Sequence, residues 1–144
     1  MLNRILATDE NNASLVLRLL LGAVFFAHGS QKMLGFSATM DFLTGDALGL
    51  PWIVAFLVIC AEFFGALGLL AGVLTRVAAG GIGLVMLGAV NVHRGDGFFM
   101  NWGSAADRGE GFEYHLLAIA ICVALVILGG GRFSGDGVLA ERVA

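Results

Sequence analysis

The chain is poor in charge. Asp, Glu, Lys and Arg make up 13% of its 144 residues, about half of the roughly 25% usual in soluble domains. A net charge of −3 leaves no basic stripe for phosphates, which excludes a nucleic-acid binder. Cysteine occurs only as Cys60 and Cys122, with no C-x-x-C pair, which excludes a disulfide scaffold. Apolar residues fill the space instead. They are 58% of the chain, with 22 glycines besides, and the mean hydropathy is +0.90. A domain of this size has too much surface for its volume to hide that much apolar side chain from water. Composition therefore excludes a soluble globular domain and a disordered chain. It points to an integral membrane protein with the lipid bilayer as its first partner.

A bilayer core about 30 Å thick takes about 20 apolar residues per helix, with about 17 as the lower bound. Four stretches meet or approach this: about 14–34, 51–74, 77–93 and 113–130. The first carries Arg18 near one end and His28, Gln31 and Lys32 near the other. The second holds a single charge, Glu62. The third is short, between Arg76 and Arg94, and the fourth ends in Gly129-Gly130-Gly131-Arg132. Snorkelling arginines let short spans suffice. No strand-like alternation suggests a barrel, so the spans must be helices. The expected fold is all-α, a single membrane domain built as an integral four-helix up-down bundle. A cleaved signal peptide is the rival for the first segment, since Ala27-His28-Gly29 loosely fits a small-x-small site. Asp9-Glu10 makes a poor basic leader, however, and the segment is read as a retained span.

Four spans put both termini on one side. That side collects Arg4, Arg18, Arg76, Arg132 and Arg142, against Lys32, Arg94 and Arg108 on the other. The positive-inside rule then places the termini in the cytoplasm. Asp41, Asp46, Asp96, Asp107, Glu110 and Glu113 all fall outside. In the first outer loop, Phe36, Met40, Leu43 and Ala47 recur at helical spacing, with Ser37 as a candidate N-cap. They predict a short helix lying in the interface. Pro51 suits the first turn of the second span, where its missing N–H costs little. Between spans two and three only Thr75-Arg76 remains, so those helices are antiparallel neighbours. No heptad pattern is evident. Helix contacts are expected instead through Gly22, Gly29, Gly65, Gly68 and Gly72.

A carboxylate deep in lipid is costly unless it is paired or neutralised. Glu62 lies eleven residues beyond Pro51, about 16 Å deep at 1.5 Å per residue. It should face the interior. His28, Gln31 and Lys32 form one polar face on the first span by their i, i+3, i+4 spacing. A Glu62–His28 contact is within reach of a simple hairpin alignment. Asn91 and His93 end the third span, and Glu113 and His115 begin the fourth, all at the same outer level. These eight residues predict a polar pocket opening outward, floored by Glu62. The loop with Phe98, Phe99, Asn101 and Trp102 is a candidate lid, although an aromatic belt at the headgroups accounts for its rings as well. Tyr114 reads as a belt residue. No H-x-x-x-H spacing is present, and no metal site is expected.

The order of short motifs resembles the DoxX family of small bacterial membrane proteins. The matching residues are His28-Gly29-Ser30-Gln31-Lys32-Met33-Leu34-Gly35, Gly49-Leu50-Pro51, Ala61-Glu62-Phe63-Phe64-Gly65 and Leu74-Thr75-Arg76. Gly97-Phe98-Phe99 with Asn101, Glu113-Tyr114, and Gly131-Arg132-Phe133-Ser134-x-Asp136 complete the series. The resemblance implies a four-helix fold in the bacterial inner membrane and a link to quinone redox chemistry. It also implies membrane or membrane-associated redox proteins, or further copies of the chain, as partners. It assigns no catalytic residue and no resident cofactor. Within it, a quinone-linked redox-associated subunit is the leading expectation. A quinone needs a donor such as His or Lys and a nearby acid to exchange protons. Two other readings stay open: a structural or assembly subunit of a larger membrane complex, and a small proton-coupled carrier with Glu62 as relay.

Overall fold

The computed structural model describes residues 6, 8, 11–46, 48–103 and 109–143. Expectations that fell on Arg4, Asp9, Glu10, Ala47, Asp107 and Arg108 lie outside the described residues. Every regular element among the described residues is helical: α1 (Asn12–Leu34), α2 (Phe36–Thr44), α3 (Trp52–Ala71), α4 (Thr75–His93), α5 (Glu113–Leu128) and α6 (Gly135–Val143). Three of them, α1, α3 and α4, are long and apolar enough to cross a membrane; α5 is apolar but has 16 residues.

Each boundary has a local cause. Asn11 caps α1, its side chain accepting from Ser14 N at 2.7 Å. Pro51 stands at the N-cap of α3, and its carbonyl accepts from the amides of Val54 and Ala55. The α3 helix stops at Ala71, short of the expected end at residue 74. Gly72 turns left-handed there (φ 65°), Val73 N donates to Gly68 O, and Gly72 N donates to Leu69 O. These are the two bonds of a Schellman ending. Between α1 and α3 the short helix α2 forms as expected, but Gly35, not Ser37, takes the capping position, and no side chain caps it. Its Met40 and Leu43 pack on Ala55 and Ile59 of α3.

Helix α1 packs along α3, α3 along α4, α4 along α5, and α5 returns to α1. The contacts run antiparallel. Gly22 faces Ala66 and Leu70 while Gly29 faces Glu62 and Phe63; Gly83 meets Cys122 while His93 meets His115.

The sequence shows no heptad signature, yet the buried positions recur regularly along each helix. On α3 they are Ala55, Ile59, Glu62, Ala66 and Leu69. On α4 they are Thr75, Ala79, Ile82 and Met86, and on α5 His115, Ala118, Cys122 and Leu125. The intervals alternate between three and four residues, the spacing of coiled-coil seams. The pattern is hidden in the sequence because the outward positions are apolar too. Leu20, Phe64, Val77, Leu117 and Ile127 are all exposed, whereas Ser14, Arg18, Glu62, Thr75 and His115 are buried. In water, polarity marks the outside of a helix; here it marks part of the inside, and apolar contrast between the faces vanishes.

Candidate functional site

Glu62 belongs to the buried stripe of α3 and is 2% exposed. Its Oε1 receives the Lys32 ammonium of α1 at 2.5 Å. Two local features bring these groups together. At Gly29 the backbones nearly touch: a Cβ there would sit 2.7 Å from Phe63 N and Cα and 2.9 Å from Glu62 C. Helical side chains also lean toward the N-terminus of their own helix. In an antiparallel pair Lys32 therefore leans down from one end and Glu62 leans up from the other. Lys32, with its longer reach, makes the contact that a simple hairpin alignment assigns to His28.

This pair borders a cavity of about 700 Å³. Its walls are apolar, with Phe25, Leu57, Val58, Leu84, Val85 and Val92 among them, and Leu43, Leu48 and Leu50 close one side. Its polar lining is His28, Lys32, Glu62, His93, Tyr114 and His115. Five residues nominated from sequence thus border one space. Gln31 and Asn91 are exposed and are not part of the lining. Glu113 turns to the outer loop instead, where its Oε1 accepts from Met100 N and Trp102 Nε1, both at 3.1 Å. Phe98 O accepts from the amides of Phe112 and Glu113, so the loop is tied to the start of α5. Of the residues named as a lid, Phe98, Phe99 and Trp102 are exposed, and none of the four, Asn101 included, lines the cavity.

On two of the lining residues a buried polar atom has no hydrogen-bond partner among the described residues, Glu62 Oε2 and Tyr114 Oη, while the His115 ring meets the Phe112 backbone. Buried polar atoms are normally satisfied, and these two are exceptions. The His115 ring stacks on His93 with centroids 5.4 Å apart, and His93 Nδ1 lies 3.0 Å from Asp96 Oδ2 at the surface. Tyr114 was expected in a headgroup belt. Its side chain lies on the lining instead, with the hydroxyl buried. No three His, Cys, Asp or Glu side chains converge among the described residues.

A second buried cluster sits at the opposite end of the helices. Arg18, 2% exposed, donates through Nε to Gly130 O, through Nη1 to Leu69 O and Leu70 O, and through Nη2 to Arg132 O and Phe133 O. A guanidinium has five N–H donors, and each meets a carbonyl. Those oxygens lie where α3 ends and where the chain turns after α5, the places where helical donors run out, and Leu69 O takes the Arg18 bond in addition to that from Gly72 N. Asp136 accepts from Leu74 N at 2.6 Å and Thr75 N at 2.9 Å, capping α4. Ser14 Oγ donates to Gly129 O. Sequence reading placed Arg18 only as a charge near the end of a span. Its fivefold role depends on carbonyls more than 50 residues away.

Comparison with known proteins bears on both clusters. The DoxX family profile matches residues 13–95. The chain belongs to the DoxX family. A Bacillus subtilis protein named "Putative oxidoreductase CatD" is 32% identical over 120 residues, which is 83% of this chain and 81% of that one. The Escherichia coli protein named "Inner membrane protein YqjF" is 37% identical over 70 residues, 49% of this chain and 52% of that one. No solved structure matches. The DoxX match spans α1 to α4. It includes the Lys32–Glu62 pair and Arg18, while Tyr114, His115 and Asp136 of this DoxX chain lie beyond it.

Proposed function

We propose that this DoxX protein is a quinone-linked, redox-associated subunit of the bacterial inner membrane, with the cavity bordered by Lys32 and Glu62 as its binding site. In this reading α5 completes a four-helix up-down membrane bundle, α2 lies in the outer interface, and both termini face the cytoplasm. The observation that carries it is the pairing of an apolar wall with a polar floor. A volume of about 700 Å³ falls within the roughly 300–1,000 Å³ usual for small-molecule sites. An aromatic head on an apolar tail matches that division. The name of the Bacillus subtilis relative supports a redox connection, and that of the Escherichia coli relative supports the membrane.

The chain has no flavin or iron–sulfur motif, so electrons come from a membrane-associated partner. The chain's own task is to orient the quinone and hold protons near it. Lys32 and His28 supply donors, and Glu62 and His115 stand with them on the lining. The test is to purify the protein in mild detergent, extract bound lipid and assay quinone by chromatography and mass spectrometry. Quinone is expected in wild type and reduced at least tenfold in a Leu57→Trp, Leu84→Trp variant that fills the space. Equal quinone in both, or none in wild type, removes the reading.

A further inference from the structure

We infer that the cavity opens sideways into the bilayer through a slot between α3 and α4, and that the slot holds the apolar chain of a long-tailed ligand. This rests on the quinone reading above and names the class of quinone that fits. The slot exists because the two helices part. Near their connecting turn they touch through small residues. A Cβ at Gly65 would stand 3.3 Å from the Ile82 side chain, one at Gly68 3.3 Å from Ala78 Cβ, and one at Gly81 3.8 Å from Ala61 Cβ. Farther from the turn each helix has a different neighbour. Ala55 and Ile59 of α3 take up Met40 and Leu43 of α2. On α4, Gly83 lies against Cys122 of α5, and His93 stacks on His115. Helix α3 is thus held to α2, α4 is held to α5, and the cavity lies between their lining faces.

The wall at this gap is open as well as apolar. Val54, Leu57 and Ala61 line it from α3, and Leu84, Gly88 and Val92 from α4. Spacings of three and four residues put each set on one face of its helix. Leu57 is 56% exposed and Leu84 71%, although both line the cavity, and a Cβ at Gly88 would meet nothing within 4 Å. The wall of an enclosed cavity does not expose leucine to this degree, so the cavity is open here. Both helices are long and apolar enough to cross a membrane. Leu57 lies six residues after Pro51, about 9 Å along the helix at 1.5 Å per residue, which sets the slot beside acyl chains. None of the six side chains is polar. Polar lining comes from other helices as well, His28 and Lys32 on α1 and Tyr114 and His115 on α5. A quinone ring seated against those groups leaves too little of about 700 Å³ for a chain of several isoprenoid units. The chain needs a way out, and the slot is an apolar one.

The experiment uses the full chain in lipid nanodiscs, with two probes: a benzoquinone bearing a long isoprenoid tail, and the same ring with a methyl group in place of the tail. Affinities are measured by retention on immobilised nanodiscs, with empty nanodiscs as blank, and are referred to the concentration within the lipid so that partitioning of the tail does not enter. Gly88→Trp sets an indole in the slot, where the backbone has room for it. The ratio of long-tailed to tail-less affinity is expected to fall by about tenfold or more. Leu117→Trp, an exposed position of α5 that does not line the cavity, is expected to leave both affinities as they are. An unchanged ratio in Gly88→Trp, or an equal fall in Leu117→Trp, overturns the slot while leaving a quinone site in place. No binding of either probe by wild type removes the quinone reading itself. Should Gly88→Trp fail to fold, a tail carrying a photoreactive diazirine maps the path in wild type. Adducts suppressed by excess unlabelled quinone are expected on Val54, Leu57, Leu84 or Gly88; adducts on α1 or α5 instead overturn the inference.

Discussion

Arg18 and Asp136 flank Gly72 with opposite chemistry. The guanidinium carbon lies 3.0 Å from where a Gly72 Cβ would stand, and the Asp136 amide donates to Gly72 O at 2.8 Å. Arg18 neutralises the carbonyl end of α3, and the Asp136 carboxylate neutralises the amide end of α4. One turn thus has both of its helix termini satisfied by buried ions from distant parts of the chain, each placed where the helix dipole favours its sign.

Replacing Arg18 by Lys is expected to destabilise the protein by about 2–4 kcal/mol. Lysine has three donors against five carbonyls, so at least two buried oxygens lose their partner, at about 1–3 kcal/mol each. Thermal unfolding in detergent reads this out. A change below about 0.5 kcal/mol, within the range of surface substitutions, would show that the five bonds are not needed.

Gly29→Ala and Gly88→Ala should differ in sign. At Gly29 the new methyl meets the backbone of Phe63, which cannot rotate away. Overpacking of this kind costs about 1–3 kcal/mol, and it also pushes Lys32 from Glu62. At Gly88 nothing lies within 4 Å, and alanine should stabilise α4 by about 0.5–1 kcal/mol. Melting temperatures of the two variants, taken side by side, test whether α1 and α3 approach as closely as described.

Lys32→Met leaves a buried carboxylate without its cation. Removing one partner of a buried pair costs about 3–5 kcal/mol; the lower end applies here because the Lys32 side chain is 32% exposed. The double change Lys32→Met, Glu62→Met should recover most of that stability while abolishing any binding that depends on the pair. Additive losses in a double-mutant cycle would contradict a direct interaction.

Glu113→Ala is expected to free the outer loop without altering the cavity. Met100 N and Trp102 Nε1 lose their shared acceptor. Amide exchange at Met100 should quicken by about tenfold, the equivalent of a lost bond worth roughly 1.4 kcal/mol. Exchange within α3 should stay as it was. Faster exchange at Glu62 and Phe63 as well would mean that the loop supports the site.

The helices were legible because lipid-length apolar runs need no knowledge of neighbours: 51–74 announces α3 by length alone. Boundaries were less so. The end of α3 at Ala71 follows from the left-handed Gly72 and from Asp136, which caps the next helix from 61 residues away. Within the candidate site, Glu62 stood out because a lone carboxylate in an apolar run must find compensation. Gln31 and Glu113 have the same polarity and outer level as the cavity residues, yet they face elsewhere. Spacing fixes the angle of a residue around its own helix, not which helix stands opposite.

From sequence alone, then, this chain is committed to helices, to an apolar environment and to a buried acid that needs a partner, since each follows from composition and from the cost of desolvating charge. Only the packed structure decided that Lys32 is the partner, that Tyr114 turns inward, and that Arg18 meets five carbonyls. Those outcomes depend on how closely two helix backbones approach at positions such as Gly29. Such distances are properties of two helices in contact and are written in neither helix by itself.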